Sequence, residues 1–222
     1  MADIFNEIDE ELRQEKIRRV WDRYGVLVLA AAVAIVLAVA GWRAWDHFRA
    51  QKARADGDAY VAAATLARDG DPKGAETALL ALAGNSSGGY PVLAALRAAG
   101  ARAEAGDAAG ALAAFDAVAA RPGTPPRMAE VARIRAAWLA LDLEERAAVE
   151  ARVAPLAAAA SPWRGLAREV LALSAWKAGD VAATAARVSE VLDDPDTPRD
   201  LADRIAVLRA LVDAQGPAGK VN

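Results

Sequence analysis

The stretch that decides the fold is LRAAGARAEAGDAAGALAAFDAVAARP, residues 96–122. It consists of two alanine-rich segments on either side of Gly106-Asp107. Alanine has the highest helix propensity, a glycine can end a helix in the left-handed conformation, and an aspartate can cap the helix that follows. The stretch therefore predicts two helices joined by a tight turn. Because strand-type alternation is scarce elsewhere, we expect an all-α chain.

The Gly-Asp pair recurs along the chain. It occurs at 70–71, 106–107 and 179–180, and Gly216 follows, so that the intervals are 36, 73 and 37 residues. The middle interval is two periods, with Asp142-Leu143 near the intermediate turn, and a period near 36 is typical of helix–turn–helix solenoids. We expect first helices over 54–69, 91–105, 127–141, 163–178 and 198–214, and second helices over 72–83, 108–120, 144–158 and 181–192. This is an α-solenoid of about four helix pairs with a terminal capping helix.

Prolines support these helix boundaries. Asp71-Pro72, Ser161-Pro162 and Thr197-Pro198 each place a capping side chain before a proline at the first helical position. Asp200 adds a carboxylate near the start of the last helix, where the helix dipole favours negative charge. Pro155 falls inside the sixth predicted helix of the solenoid, so we expect a kink or an early end there.

An apolar run precedes the repeats. Residues 26–42 read VLVLAAAVAIVLAVAGW, and no charged residue occurs from Tyr24 to Trp42. A helix of that length spans about 28 Å, close to the ~30 Å hydrocarbon core of a bilayer. Trp21 and Tyr24 lie near one edge, and Trp42 and Trp45 near the other, as in the aromatic belts of spanning helices. The run therefore predicts a transmembrane helix.

The span divides the chain into segments. We expect a helical cytoplasmic tail (1–23), a transmembrane helix (24–45), a juxtamembrane linker (46–56), a solenoid (57–214) and a flexible tail (215–222). Five Lys and Arg before the span, against four soon after it, lean towards a cytoplasmic N-terminus. Ala38-Val39-Ala40 also matches a signal-peptidase site, so cleavage before Gly41 is an alternative.

The composition argues against several kinds of site. The 27 Lys and Arg and 30 Asp and Glu give a formal net charge of −3, and the cations are not clustered as in nucleic-acid-binding proteins. Without cysteine there is no thiolate chemistry. A lone His47 forms neither a triad nor a metal cluster without partners, and LDDPDTPRD (192–200) lacks the spacing of a calcium loop. We expect no catalytic residue, metal, cofactor, small-molecule substrate or nucleic acid.

The stretch quoted first resembles a tetratricopeptide repeat. Gly106 takes the turn between the helices, Ala111 the small packing position, and Phe115 the aromatic position of the second helix. Ala99 stands where the repeat usually has glycine, and Arg102 where it usually has tyrosine. The resemblance implies that the first helices line a concave groove for peptides or partner helices.

The order of the segments resembles a more specific family, the ancillary subunits of the SecYEG translocon (YfgM-like proteins). The resemblance rests on the acidic tail, the span ending in GWRAW (41–45), and the repeats SPWRGLAREVLALSAWKAGD (161–180) and TPRDLADRIAVLRAL (197–211). It implies a single-pass protein of the bacterial inner membrane with its solenoid in the periplasm. Translocon subunits and periplasmic chaperones would be its partners, and no catalytic residues are implied.

The tetratricopeptide alignment also implies a partner groove on the fourth first-type helix. Its residues would be Leu166, Glu169, Leu173, Trp176 and Lys177. Trp176 would be the main contact, because buried aromatic side chains dominate interface energetics. Alternatively, Leu173 and Trp176 belong to the core, where we also expect Trp138 and Trp163.

The function expected from these features is a non-enzymatic, membrane-anchored scaffold in protein export. Two alternatives stay open at this point. One is a membrane-bound regulator that sequesters a signalling protein, and the other is a periplasmic adaptor released by cleavage of the apolar run.

Overall fold

The computed structural model describes the backbone of residues 2–215 and the side chains of residues 21–215. Over that range the chain is helical and has no strand, which confirms the all-α prediction. It divides into two compact units, Met1–Ala55 and Asp56–Asn222. The helices are α1 (Ala2–Arg68), α2 (Pro72–Asn85), α3 (Tyr90–Glu104), α4 (Ala108–Ala120), α5 (Pro126–Leu143), α6 (Arg146–Val153), α7 (Arg164–Lys177), α8 (Val181–Leu192) and α9 (Arg199–Gln215), with a 3₁₀ turn at Ala154–Leu156.

The first unit contains the apolar run. Among the described residues, α1 is the one helix long and apolar enough to cross a membrane, and none of its most apolar window is buried. The rings of Trp42 and Trp45 meet edge to face with centroids 6.4 Å apart. The ring of Trp21 lies over Gly25, where an added Cβ would come within 3.3 Å of it. The expected linker, residues 46–56, is helical as part of α1.

The second unit is a stack of helix pairs. The end of α1 packs with α2, and α3 with α4, α5 with α6 and α7 with α8 form the following pairs. In the later part of the stack the first helices also touch, since α5 contacts α7 and α7 contacts α9. Four pairs with α9 as terminal helix are the predicted solenoid. Except for Gln215, the expected tail 215–222 lies outside the described residues.

The predicted Gly-Asp turns are confirmed. The three glycines have the positive φ that an L side chain rarely adopts: Gly70 (92°), Gly106 (91°) and Gly179 (72°). In each turn, the aspartate that follows accepts a hydrogen bond from a backbone N–H three residues further on, at 2.8–2.9 Å. The intermediate turn has another form, because α5 continues to Leu143 and Glu145 precedes α6 without a side-chain cap.

Three of the proline and cap predictions are also confirmed. Helix α2 begins at Pro72, and Asp200 lies in the first turn of α9. Helix α6 ends at Val153, and the 3₁₀ turn that follows contains Pro155. The early end follows from the proline ring, which has no N–H to donate and clashes with the preceding helical turn.

The two hydroxyl caps were wrong. The Ser161 hydroxyl accepts a hydrogen bond from the Trp163 N–H at 3.2 Å, and α7 begins only at Arg164. The Thr197 hydroxyl donates to the carbonyl of Val191 at 2.7 Å, across the loop before α9. Both hydroxyls stabilise loop backbone because short polar side chains bond nearby backbone groups as readily as they cap a helix.

The core of the stack is rich in alanine. Ala75, Ala94, Ala136 and Ala140 have no exposed surface. Because these side chains are small, neighbouring helices approach closely. The buried residues form three clusters: one joins the end of α1 to α2 and α3, a second extends from α3 to α7, and a third joins α7, α8 and α9.

Candidate partner-binding groove

A groove of about 680 Å³ lies along the first helices of the stack. Its lining comes from α3, α5 and the start of α7, together with Tyr60 near the end of α1 and the buried Phe115 of α4. Most lining side chains are apolar: Leu93, Leu96, Val131, Ile134, Leu139 and Leu166. First helices therefore form the groove, as the tetratricopeptide resemblance implies.

Two tryptophans line this groove. Trp138 and Trp163 are half-buried, and both pack against the α3–α7 core cluster. The Trp163 ring is held in place, because its Nε1–H donates to Glu130 at 2.7 Å. Glu130 also accepts a hydrogen bond from Arg127 at 3.2 Å. The expected core contact is confirmed for both tryptophans, and each also has a surface open to the groove, as the amphipathic indole allows.

Three charged side chains line the groove as well. Arg97 and Glu104 lie on α3 and form an ion pair at 3.3 Å, with both side chains partly exposed. Arg135 lies on α5 and is exposed. No carboxylate of residues 21–215 comes within 4.0 Å of its guanidinium. The described lining thus holds one cation whose charge is not offset by a neighbour.

Gly100 lines the groove in the middle of α3. A glycine inside a helix destabilises it by about 0.5–1 kcal/mol relative to alanine. Nothing in the packing requires that cost, since an added Cβ would meet only Nη1 of Arg97, at 4.0 Å. The missing side chain leaves space in the groove itself.

Of the five predicted groove residues, Leu166 lines the groove and Glu169 does not. Glu169 is only 3% exposed and accepts hydrogen bonds from Arg204 of α9 at 2.8 and 2.9 Å. Those hydrogen bonds raise the pKa of the Arg204 guanidinium above its ordinary value. Placing Glu169 in the groove was wrong, because α9 covers it.

The other three predicted residues also lie away from the groove. Leu173 and Trp176 are half-buried against the α7–α9 cluster, which is the alternative placement in the core. Lys177 is exposed, and its ammonium donates to Asp142 at 3.1 Å and to the carbonyl of Leu141. None of these three side chains lines the groove.

Two of the aspartates in residues 192–200 bind an arginine. Arg164 at the start of α7 donates to Asp194 at 2.5 and 2.9 Å and to Asp196 at 2.7 Å. The guanidinium, together with the Asp196 N–H, holds the pKa of Asp194 below its ordinary value. Among the described side chains, no three His, Asp or Glu groups converge as metal ligands do. This loop joins α8 to α9, and Arg164 ties it to the start of α7.

One known protein family matches most of the chain. The tetratricopeptide repeat-like domain family matches residues 18–170, more than half of the chain. The chain belongs to this family. The matched range begins before the apolar run and ends within α7. Domains of this kind are typically non-catalytic scaffolds that bind other proteins on an extended concave surface. No curated protein and no solved structure matches the chain.

Proposed function

We propose that this protein is a membrane-anchored scaffold whose groove holds a segment of a partner protein. The observation that carries the proposal is the groove on the first helices, with leucines and two half-buried tryptophans along it. Concave sites with apolar walls and a few polar groups are the usual form of binding sites. Aromatic side chains such as Trp138 commonly provide the strongest contacts of an interface.

The proposed partners are Sec translocon subunits and periplasmic chaperones. This part rests on the resemblance of the segment order to translocon ancillary subunits. In this arrangement residues 1–23 lie in the cytoplasm, residues 24–45 span the bacterial inner membrane, residues 46–56 link the span to the body, and residues 57–214 lie in the periplasm. An anchor confines the solenoid to the membrane surface, which raises its effective concentration towards other membrane-bound proteins.

Photo-crosslinking in living cells tests the partner. A photoreactive phenylalanine analogue is placed at Leu93, which lines the groove, and separately at Leu192 at the end of α8. The two leucines form a matched pair because each is 37% exposed. We expect crosslinks to translocon or chaperone components from position 93 only. Mass spectrometry that identifies no export component from position 93, or the same products from both, contradicts the proposal.

Cysteine labelling tests the orientation. Because the chain has no cysteine, single-cysteine variants at Asp3 and Leu192 report cleanly on the two sides. In cells with a permeabilised outer membrane, an impermeant maleimide should label the Leu192→Cys variant and leave the Asp3→Cys variant unlabelled until the inner membrane is broken. The reverse pattern contradicts the proposed topology. A mature N-terminus at Gly41 would instead support the cleaved adaptor.

Deletion of residues 1–20 separates the scaffold from the regulator. A scaffold that binds through its groove keeps the crosslinks formed from position 93. A regulator that binds through its tail loses its partner on deletion, and that outcome would replace the scaffold proposal.

A further inference from the structure

The groove also indicates which kind of segment it binds. Resting on the proposed function, we propose that the occupant is an apolar protein segment with one acidic side chain, which pairs with Arg135 and crosses the groove at Gly100. Three independent features of the groove carry this inference: its charge, its apolar walls, and the space above α3.

Several arginines elsewhere in the stack bind carboxylates. Arg152 binds both Asp116 and Glu144, Arg164 binds two aspartates, and Arg204 binds Glu169. In the groove, Arg97 is likewise offset by Glu104. Arg135 has no such partner among the described residues, although it lines a mostly apolar groove. A carboxylate supplied by the occupant would complete a charge-assisted pair, which is stronger than a neutral hydrogen bond.

The apolar lining of the groove indicates the character of the rest of the segment. Leu93 is 37% exposed, and Trp138 and Trp163 are partly open to the groove. Burying such surfaces drives association, whereas a strongly charged segment would have to be dehydrated against them at a cost. The occupant is therefore apolar along most of its length and carries its acidic group opposite α5.

The open space at Gly100 indicates where the bound segment crosses the groove. Replacement of that glycine by alanine would favour α3 and would meet no packed atom closer than 4.0 Å. The space is thus open to a segment that approaches the α3 backbone closely, and glycine commonly marks such positions. Arg135 and Gly100 line the same groove from neighbouring first helices, so one segment can contact both.

A random peptide library tests this inference on the intact chain. The full-length protein in lipid nanodiscs is used to select binders from twelve-residue peptides displayed on phage. We expect the selected peptides to be rich in Leu, Ile and Val and to contain one Asp or Glu. In a synthetic peptide of the selected sequence, replacing the acid by Lys should weaken binding about tenfold, a typical loss for a charge-assisted pair.

Charge reversal supplies the control. Arg135→Glu should select peptides with Lys or Arg at the same place. Arg133→Glu changes another exposed arginine of α5, which is outside the groove and has no described carboxylate within 4.0 Å. Its selected peptides should match those of the unaltered chain. Equal selections from the unaltered chain and Arg135→Glu would overturn the inference.

Gly100→Leu distinguishes this failure from failure of the proposed function. If Gly100→Leu abolishes peptide binding but no acidic preference exists, the groove is a binding site and only the charge inference fails. If selection yields no binder, or if binders persist in Gly100→Leu with its helix content intact, the groove is not the site and both proposals fail. If the chain instead self-associates through the groove and Gly100→Leu makes it monomeric, the occupant is a second copy and the inference is overturned.

Discussion

Helices α3 and α7 carry equivalent repeat positions, but the groove is open along α3 and mostly closed along α7. Leu166, Glu169, Leu173 and Trp176 of α7 each lie 73 residues after Leu93, Leu96, Gly100 and Ala103 of α3, the interval between Gly106 and Gly179. All four positions line the groove in α3, whereas only the first of them does so in α7. The repeat therefore determines which face of a helix is directed towards the groove. It does not determine whether that face is accessible to a partner.

The difference follows from side-chain size and from the next first helix. In α7, Leu173 and Trp176 are large enough to pack on the cluster shared with α8 and α9, and Arg204 of α9 covers Glu169. In α3, the positions equivalent to the two large residues are Gly100 and Ala103, which leave a space. Small residues on the face, rather than large ones, therefore mark the open part of this stack.

The largest expected effect on stability comes from removing the arginine of α9 that covers Glu169 of α7. Arg204→Met removes the cation that pairs with the buried carboxylate of Glu169, and an uncompensated buried charge is strongly destabilising. We expect the free energy of unfolding to fall by about 3 kcal/mol, measured by urea denaturation. Arg209→Met is the control in the same helix, because its pair with Asp213 at 3.3 Å is exposed. Such a pair contributes about 0–1 kcal/mol, so equal losses would contradict the difference in burial.

A pair of tryptophan variants should separate the two regions. Trp176→Ala removes a half-buried ring from the α7–α9 cluster and should lower the free energy of unfolding by about 2 kcal/mol, less than a fully buried ring would. It should leave the affinity for a selected peptide unchanged. Trp138→Ala should instead weaken peptide binding at least about tenfold, as loss of an aromatic contact commonly does. Fluorescence anisotropy measures both affinities, and equal effects on binding would contradict the assignment of the groove.

The sequence was sufficient for the fold because the signals that define it are local. A glycine followed by an aspartate produces the same turn wherever it occurs, so Gly106-Asp107 and Gly179-Asp180 could be interpreted from neighbouring residues alone. The groove depends on contacts between residues far apart in the chain. That Arg204 reaches Glu169 across 35 positions is set by helix packing, and no local pattern distinguishes this arginine from Arg209. One available signal was missed: the α3 face carries glycine where the α7 face carries Leu173.

Two glycine variants sharpen the comparison at the level of the backbone. Gly100→Ala in α3 should raise the free energy of unfolding by about 0.5–1 kcal/mol, because alanine favours the helix and the space is open. Gly165→Ala in α7 should gain less or lose stability, because the new Cβ would lie 2.8 Å from the buried Leu201 side chain. Thermal unfolding, monitored by circular dichroism, ranks the two variants by stability. A larger gain for Gly165→Ala would mean that α3 is the more tightly packed helix, which contradicts the open groove.

The smallest expected effect is on stability at low pH, and it concerns the ion pair at the start of α7. Arg164 lowers the pKa of Asp194, whereas the equivalent residue of α3, 73 positions earlier, is Pro91, which carries no charge. A carboxyl whose pKa is lower in the folded state stabilises the fold above its unfolded pKa of about 4, and this contribution is lost as the pH falls through the folded value. Arg164→Gln should therefore lower Tm at pH 7. The difference in Tm between the variant and the unaltered chain should be smaller at pH 3. Lys177→Gln is the control, because it removes an exposed ion pair with Asp142 and a hydrogen bond to the Leu141 carbonyl. A gap for Arg164→Gln that stays constant between the two pH values would show that the ion pair with Asp194 does not link α7 to the loop before α9.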